Sequence, residues 1–263
     1  MSDLTLIKLG GSLITDKRTE KAYRADRADA LAAAIRQALD TIPGVQLVVG
    51  HGSGSFGHMA AKRHDTIAGV SGAEQWHGFA EVALAAASLN TLVAASFAQA
   101  GIPVMRFQPS AGTTCADGVV THWDTRNLQA ALDAGLVPLV YGDVAFDTVR
   151  GGTITSTESL FFYLAGHLSV RRILLLGEVE GVLDTAGQPI RHITPASLAS
   201  IEAALGGSAG TDVTGGMETK VRDMVALVQR IPGLEVRILD GRDPERLLRV
   251  LAGTSSDGTL ISR

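Results

Sequence analysis

The chain has 263 residues, 46% of them apolar, and a formal net charge of −4. That length fits one large α/β domain or two lobes on a shared sheet. The apolar content excludes global disorder, and the charge argues against a nucleic-acid surface, which is usually strongly basic. The single cysteine, Cys115, excludes an internal disulfide and a cysteine-based metal site. The N-terminal stretch MSDLTLIKLGG has no basic segment leading into a long apolar one, so no signal peptide is expected. The most apolar window, 82–98, is interrupted by Ser88, Asn90, Thr91 and Ser96 and reads as a buried helix, not a membrane span. A soluble cytoplasmic protein is expected.

In chain order, residues 4–9 read as a buried strand ended by Gly10 and Gly11. Helical spacing follows over 27–39 with Asp26 as its N-cap, then a strand over 45–49, a glycine-rich loop over 50–58 and a short helix over 59–63. One alanine-rich helix covers 74–100 and closes at Gly101. Next come a strand over 104–107, a helix over 127–134 capped by Asp124, a strand over 137–141 and a hairpin over 145–154 turning at Arg150 and Gly151. A helix over 159–168, a strand over 173–176 and a helix over 195–205 lead to the Gly/Ser-rich segment 206–211, the best candidate for a mobile loop. The chain closes with a helix over 217–230, a strand over 235–239, a helix over 244–251 and a strand over 259–261. Strands alternating with helices predict an α/β fold with a mostly parallel sheet covered on both faces. Ligands then bind beyond the carboxyl ends of the strands. A single domain, 1–263, is expected, with a possible division near residue 170.

Three glycine-rich turns carry chemistry. In KLGGSLITDK, 8–17, Lys8 ends a strand, Gly10, Gly11 and Ser12 form a turn suited to a phosphate, and Lys17 can swing over the same site. The segment lacks the GK[ST] ending of a Walker A loop. GHGSGSFGH, 50–58, packs four glycines and two serines before His58. Glycines let backbone N–H groups approach an anion, and the following helix start adds partial positive charge. In DVTGGMETK, 212–220, two glycines precede a helix whose first turns carry Lys220. Each has an ordinary reading: a tight turn with a surface lysine, a helix-start histidine bonded to backbone, a Gly-Gly helix entry. Three glycine turns each bringing a cation fit phosphoryl transfer, where the protein aligns two anions and neutralises the moving charge. Only five of the 23 basic residues are lysines, Lys8, Lys17, Lys21, Lys62 and Lys220. A compact ammonium can follow a moving phosphate where an arginine fork cannot. Of the carboxylates, Asp143 and Glu158 are candidates to hold the lysines or shape the site around magnesium-bound phosphates. Asp147 and Asp184 read as turn or cap residues, and His51 as structural.

With KLGGSLITDK, HGSGSFGH, GDVAFD and DVTGGMETK in this order, and Gly258 to Ile261 near the end, the chain resembles the amino acid kinase superfamily and, within it, the isopentenyl phosphate kinases. The resemblance implies an ATP-dependent transfer to isopentenyl phosphate, with dimethylallyl phosphate as a further acceptor. It implies an open three-layer αβα sandwich with a mostly parallel central sheet and a homodimer, with the acceptor in the part up to about residue 170, ATP in the remainder, and Mg2+ carried by ATP. By the same resemblance Lys8, Gly10, Gly11 and Ser12 would approach the ATP phosphates with Gly54 beside them, and Gly216 and Lys220 would hold ATP from the other side. Lys17 would stabilise the transition state, and His58 would bind the acceptor phosphate near Ser53 and Thr157. Several positions depart from the family pattern. Ser53 stands for a glycine and Met59 for a proline. Ser156, Thr157, Glu158 and Ser159 stand for Ser-Gly-Asp-Asp. On the nucleotide side, Glu178 stands for an aspartate and Leu183 for a tyrosine. The isoprenoid tail needs an apolar wall, for which Phe79, Val82, Ala83 and Ala86 have helical spacing, as they also would in a plain core. A kinase of another small phosphate or phosphonate, such as fosfomycin, and a non-catalytic nucleotide sensor are the alternatives.

Overall fold

The computed structural model describes residues 3–205 and 216–263. The elements in order are β1 (Asp3–Leu9), α1 (Gly11–Ile14), α2 (Ala25–Thr41), β2 (Val45–His51), α3 (Gly54–His64), α4 (Ala73–Gln99) and β3 (Val104–Arg106). A 3-10 turn (Pro109–Ala111) leads to β4 (Thr113–Ala116), β5 (Val119–Trp123), α5 (Arg126–Asp133), β6 (Val137–Tyr141), β7 (Asp143–Asp147) and β8 (Gly151–Thr155). Then follow α6 (Thr157–His167), β9 (Val170–Gly177), β10 (His192–Ile193), α7 (Leu198–Leu205), α8 (Gly216–Arg230), β11 (Glu235–Asp240), α9 (Pro244–Leu251) and β12 (Thr259–Ile261).

Eight strands form one sheet in the order β10-β12-β11-β9-β1-β2-β6-β3, parallel except where β11 meets β12. Side chains alternate across a strand, and here both faces are covered. Leu4 and Leu6 of β1, Val48 of β2 and Ile173 and Leu175 of β9 join a core built with α5, α6 and α8. Ile7 and Leu9, Leu47 and Val49, and Leu174 and Leu176 point to the opposite core, with α2, α4 and α9. Burial on both faces is why these strands read as continuous apolar runs. β1, from the start of the chain, pairs in parallel with β9 within this sheet.

α4 is long and apolar enough to cross a membrane by length and composition. Its Leu89, Val93 and Phe97 are fully buried against the sheet, which makes it the core helix that its polar interruptions suggested.

The structure corrects the sequence reading in three places. The 50–58 segment is not a loop leading to a helix at 59: α3 already begins at Gly54, with Ser53 in the N-cap position. Asp26 is not the N-cap of α2, because the Arg24 N–H bonds to the Ile14 carbonyl and ties the entry to α1. Asp26 lies in the first turn, where its charge still suits the helix dipole. A second sheet, β5-β4-β7-β8, extends the expected 145–154 hairpin, seen as β7 and β8, by two strands that the sequence reading lacks; β4 and β5 are short and half-exposed, so no apolar run marks them. Segment 206–211 lies outside the described residues.

Asp147 is the turn carboxylate that its sequence context suggested. It accepts hydrogen bonds from the N–H groups of Asp117, Gly118, Val149 and Arg150, at 2.7 to 3.0 Å, and so joins the β4–β5 and β7–β8 turns. Burial pulls its carboxyl up, but these four donors outweigh that and hold it at about 2. Asp147→Ala is expected to cost about 2 kcal/mol, by stranding donors that share one acceptor. A folded-state value below the ordinary 3.8 means that this stability is complete above about pH 4 and is lost as the pH falls towards 2. Urea midpoints of the two proteins measured from pH 7 down to pH 2 should converge at the acid end.

Candidate active site

The parallel register brings the ends of β1, β2 and β9 side by side: Leu9 stands beside His51 on one flank and Leu176 on the other. The turns that follow them therefore meet. A Cβ on Gly11 would lie 2.7 Å from the Gly54 nitrogen, and one on Gly10 would lie 2.7 Å from the Leu176 carbonyl oxygen. Gly54 itself has φ +50, a left-handed conformation, with the Thr15 side chain against the place where a Cβ would go. Thr15, fully buried, ties the two turns together: its hydroxyl donates to the Gly11 carbonyl at 2.7 Å and accepts from the Ser55 N–H at 3.0 Å. The outcome is a bare backbone surface, with the N-termini of α1 and α3 in contact.

Charge is set beside it. Lys8 Nζ lies 2.7 Å from Glu158 Oε1, and Lys220 Nζ lies 4.0 Å from the same oxygen. Glu158 enters from the first turn of α6 and Lys220 from the second turn of α8. Burial pushes the Glu158 carboxyl up, but the charge and hydrogen bond of Lys8, with the charge of Lys220, hold it below its ordinary value. One carboxylate thus positions two ammonium groups from distant parts of the chain, leaving one positive charge in excess.

His58 is exposed on α3, and its Nδ1 lies 2.8 Å from the Gly54 carbonyl. A carbonyl only accepts, so Nδ1 carries the hydrogen, and Nε2 is the ring atom left for a ligand. Ser53 is half-buried; its carbonyl accepts from the Phe56 and Gly57 N–H groups, and its side chain makes no capping bond.

Other expected residues are placed differently. Lys17 is exposed in the turn closed by the Asp16 N–H to Ala22 carbonyl bond, and no hydrogen bond or ion pair joins it to Lys8, Glu158 or His58. Thr157 does not offer its hydroxyl to a substrate: it is buried and donates to the His51 carbonyl at 2.6 Å. Asp143 is no organiser of the lysines. It is buried and accepts from the Ser110 and Val144 N–H groups, and burial raises its carboxyl above the ordinary value. Glu178 pairs with Arg24 at 3.0 Å, and Arg24 also donates to the Ser12 carbonyl at 3.2 Å, so Glu178 is tied to the first glycine turn. Leu183 is exposed and bridges to Pro189. Asp184 accepts from the Ala186 and Gln188 N–H groups as a turn residue. Gly216 opens α8, while 212–215 lie outside the described residues. Phe79, Val82 and Ala86 are buried; Phe79 and Val82 form a small core with Val144 and Val70, with Ala83 at its edge. Sequence reasoning missed Thr15, Arg24, Asn90 and Arg106, since single polar residues inside or beside regular elements carry no motif.

A cavity of about 470 Å³ lies at the other end of the sheet, lined by Arg172, Glu235, Arg237 and Ser255 among others. Arg172 donates to the Val250 and Leu251 carbonyls and thereby caps the end of α9, while Arg237 donates to the Ser256 and Asp257 carbonyls in the loop that follows. It is remote from the glycine turns.

The sequence model of the amino acid kinase family matches residues 3–240, the span that holds every turn described above. The chain belongs to the amino acid kinase family. Within that family it is 37% identical to the isopentenyl phosphate kinase of Haloferax volcanii, over 98% of each chain. It is 33% identical to that of Methanocaldococcus jannaschii, over 84% of this chain and 86% of the other. A solved isopentenyl phosphate kinase superposes with a TM-score of 0.82 at 28% identity, covering 98% of this chain and all of the other. The amino acid kinase fold, an αβα sandwich, is thus the one expected from the sequence.

If Glu158 sets the two lysines, Glu158→Gln keeps its shape and removes the charge that pairs them. Steady-state kinetics should show kcat/KM for ATP reduced by tenfold or more, with roughly 3 kcal/mol lost in denaturant unfolding, because two ammonium groups then lose their shared partner. Unchanged kinetics would separate Glu158 from the site.

Proposed function

We propose that the chain is an ATP-dependent isopentenyl phosphate kinase, forming isopentenyl diphosphate and ADP. The observation that carries this reading is the contact between two glycine turns, each at a helix N-terminus, with cations on both sides. Such a surface can hold two phosphates close enough to react. The relatives of known activity that match over nearly the whole chain support isopentenyl phosphate as the acceptor.

The chemistry asks little of a base. A phosphate monoester has a second pKa of about 6, so its oxygen is already anionic near neutral pH. That oxygen attacks the γ-phosphorus of ATP; a new P–O bond forms, the bond to the β–γ bridging oxygen breaks, and ADP leaves with the electron pair. The protein must offset repulsion between two anions and hold them in line. In this reading Lys8 and the N–H groups of the Gly10–Gly11 turn meet the β- and γ-phosphates, with Ser12 and Gly54 beside them and Gly216 and Lys220 opposite. Mg2+ arrives with ATP and neutralises phosphate charge. Glu178, tied to Arg24, and Leu183 border the nucleotide.

The acceptor phosphate sits at the N-terminus of α3, near Ser53 and His58. Because the Nδ1–H of His58 is taken by the Gly54 carbonyl, a phosphate oxygen accepts from Nε2–H when the ring carries both hydrogens. His58 then orients the acceptor and offsets repulsion between the two anions. Lys17, exposed on its turn, reaches the transferring group when both substrates are bound. The buried face of α4 around Phe79 and Val82 would open or border the isoprenoid tail. Exposed Leu84 and Leu92 on α4 are apolar surface that a homodimer would cover, and a cytoplasmic site of action accords with the ATP requirement.

A coupled ADP-release assay with isopentenyl phosphate, dimethylallyl phosphate and fosfomycin tests the reading. Turnover with the isoprenoid phosphates is expected; turnover with fosfomycin alone favours the phosphonate reading, and none with any acceptor favours a sensor. Lys17→Ala should lower kcat by about 100-fold or more with little change in either KM, the mark of a transition-state contact. His58→Ala should impair use of the acceptor while leaving ATP binding within about twofold of the parent. A change in ATP affinity alone would contradict its place beside the acceptor.

A further inference from the structure

Beneath the N-terminus of α3, polar side chains stand in a row. Asn90 of α4 and His51 at the end of β2 are both fully buried. Arg106 of β3 donates from Nε to Asn90 Oδ1 at 2.6 Å. Asn90 Nδ2 lies 3.0 Å from His51 Nε2, and His51 Nδ1 lies 3.0 Å from the Gly52 carbonyl. The order of donors is forced. A guanidinium only donates, so the amide oxygen faces Arg106 and the amide nitrogen faces His51. The nitrogen donates, so His51 Nε2 is a lone pair and the hydrogen is on Nδ1. That hydrogen goes to the Gly52 carbonyl. Burial above all pushes the imidazole down to about 4, so the ring is neutral at working pH. Its plane is fixed by stacking on Tyr141, at 5.7 Å and 10° between rings. The His51 backbone is pinned as well: its carbonyl accepts from the Thr157 hydroxyl and the Gly142 N–H.

A trans peptide unit is planar, with its C=O and N–H on opposite sides, and the described residues hold no cis bond. Fixing the Gly52 carbonyl towards His51 therefore turns the Ser53 N–H the other way, beside the open first turn of α3. Among the described residues this N–H meets no acceptor. Amides of this kind at a helix start are what an anion binds.

We propose that His51 is a positioning residue of the acceptor site: in its Nδ1–H form, held by Asn90 and Arg106, it orients the Gly52–Ser53 peptide so that the Ser53 amide donates to the acceptor phosphate. The proposal rests on the reading of α3 as the acceptor side. It also accounts for a serine at position 53, since a contact made by the backbone amide does not depend on the side chain.

Two substitutions separate this role from simple packing. In His51→Asn the amide nitrogen can take the place of Nδ1 and keep the bond to Gly52; in His51→Gln the amide reaches the place of Nε2 and loses that bond. His51→Gln should raise KM for isopentenyl phosphate by about tenfold, the scale of one lost hydrogen bond, with KM for ATP unchanged, and His51→Asn should recover most of the loss. Equal losses in both variants, or a parallel rise in both KM values, would overturn the proposal. A second readout needs no turnover. Nitrogen-resolved NMR of the parent protein should show His51 in the Nδ1–H tautomer without titration from about pH 6 to 8, and titration with inorganic phosphate should shift the Ser53 amide resonance in the parent but not in His51→Gln. An Nε2–H tautomer, or a Ser53 amide indifferent to phosphate, would refute the role of His51. Absence of isopentenyl phosphate turnover with that NMR behaviour intact would refute only the acceptor assignment.

Discussion

The structure depends on the close approach of two glycine turns. Gly10–Gly11 after β1 and Gly52–Gly54 after β2 touch through backbone, and a Cβ on Gly11 would stand 2.7 Å from the Gly54 nitrogen. Adjacent parallel strands set that distance, because β1 and β2 are in direct register up to Leu9 and His51. Neither turn could make the surface alone. Two helix starts side by side create a place where two anions can lie near each other, and Thr15 fixes their spacing with one hydroxyl. Everything else supplies charge to this surface or holds it still.

Those supports come from the far reaches of the chain. Glu158 draws Lys8 from β1 and Lys220 from α8 to one carboxylate, so both halves of the sandwich have to be folded before the lysines are set. An almost buried ion pair is a weak source of net stability; its value here is placement. The side chains below the proposed acceptor turn follow the same logic: Asn90, His51 and Thr157 use their polar groups on one another and on backbone, leaving the Ser53 amide without a protein acceptor among the described residues.

How much of this could be read from the sequence depends on whether the signal was local. Strands buried on both faces, such as β1, β2 and β9, announce themselves as apolar runs. The turns after β1 and β2 are marked by glycines, of which Gly10, Gly11 and Gly54 leave no room for a Cβ. Lys8, Lys220 and Glu158 were legible as candidates, and their meeting at one oxygen is a tertiary fact. The helical start of α3 was not legible, because four glycines within nine residues argue against a helix; packing against α4 and the Thr15 hydroxyl outweigh their low propensity. Asp143 and Asp147 look alike in sequence, yet one is buried beside Ser110 and the other gathers four turn amides. Thr157 seemed close to the substrate because it neighbours Glu158, but successive residues at a helix start point in different directions, and its hydroxyl turns into the core.

In the proposed reaction the acceptor phosphate and the γ-phosphate occupy neighbouring glycine turns. A crystal structure with isopentenyl phosphate and a non-hydrolysable ATP analogue tests it most directly. The acceptor phosphate is expected on the N-terminus of α3 within hydrogen-bond distance of His58 Nε2, and the γ-phosphate on the Gly10–Gly11 turn beside Lys8. An acceptor phosphate bound away from α3, with His58 still turned to solvent, would contradict it.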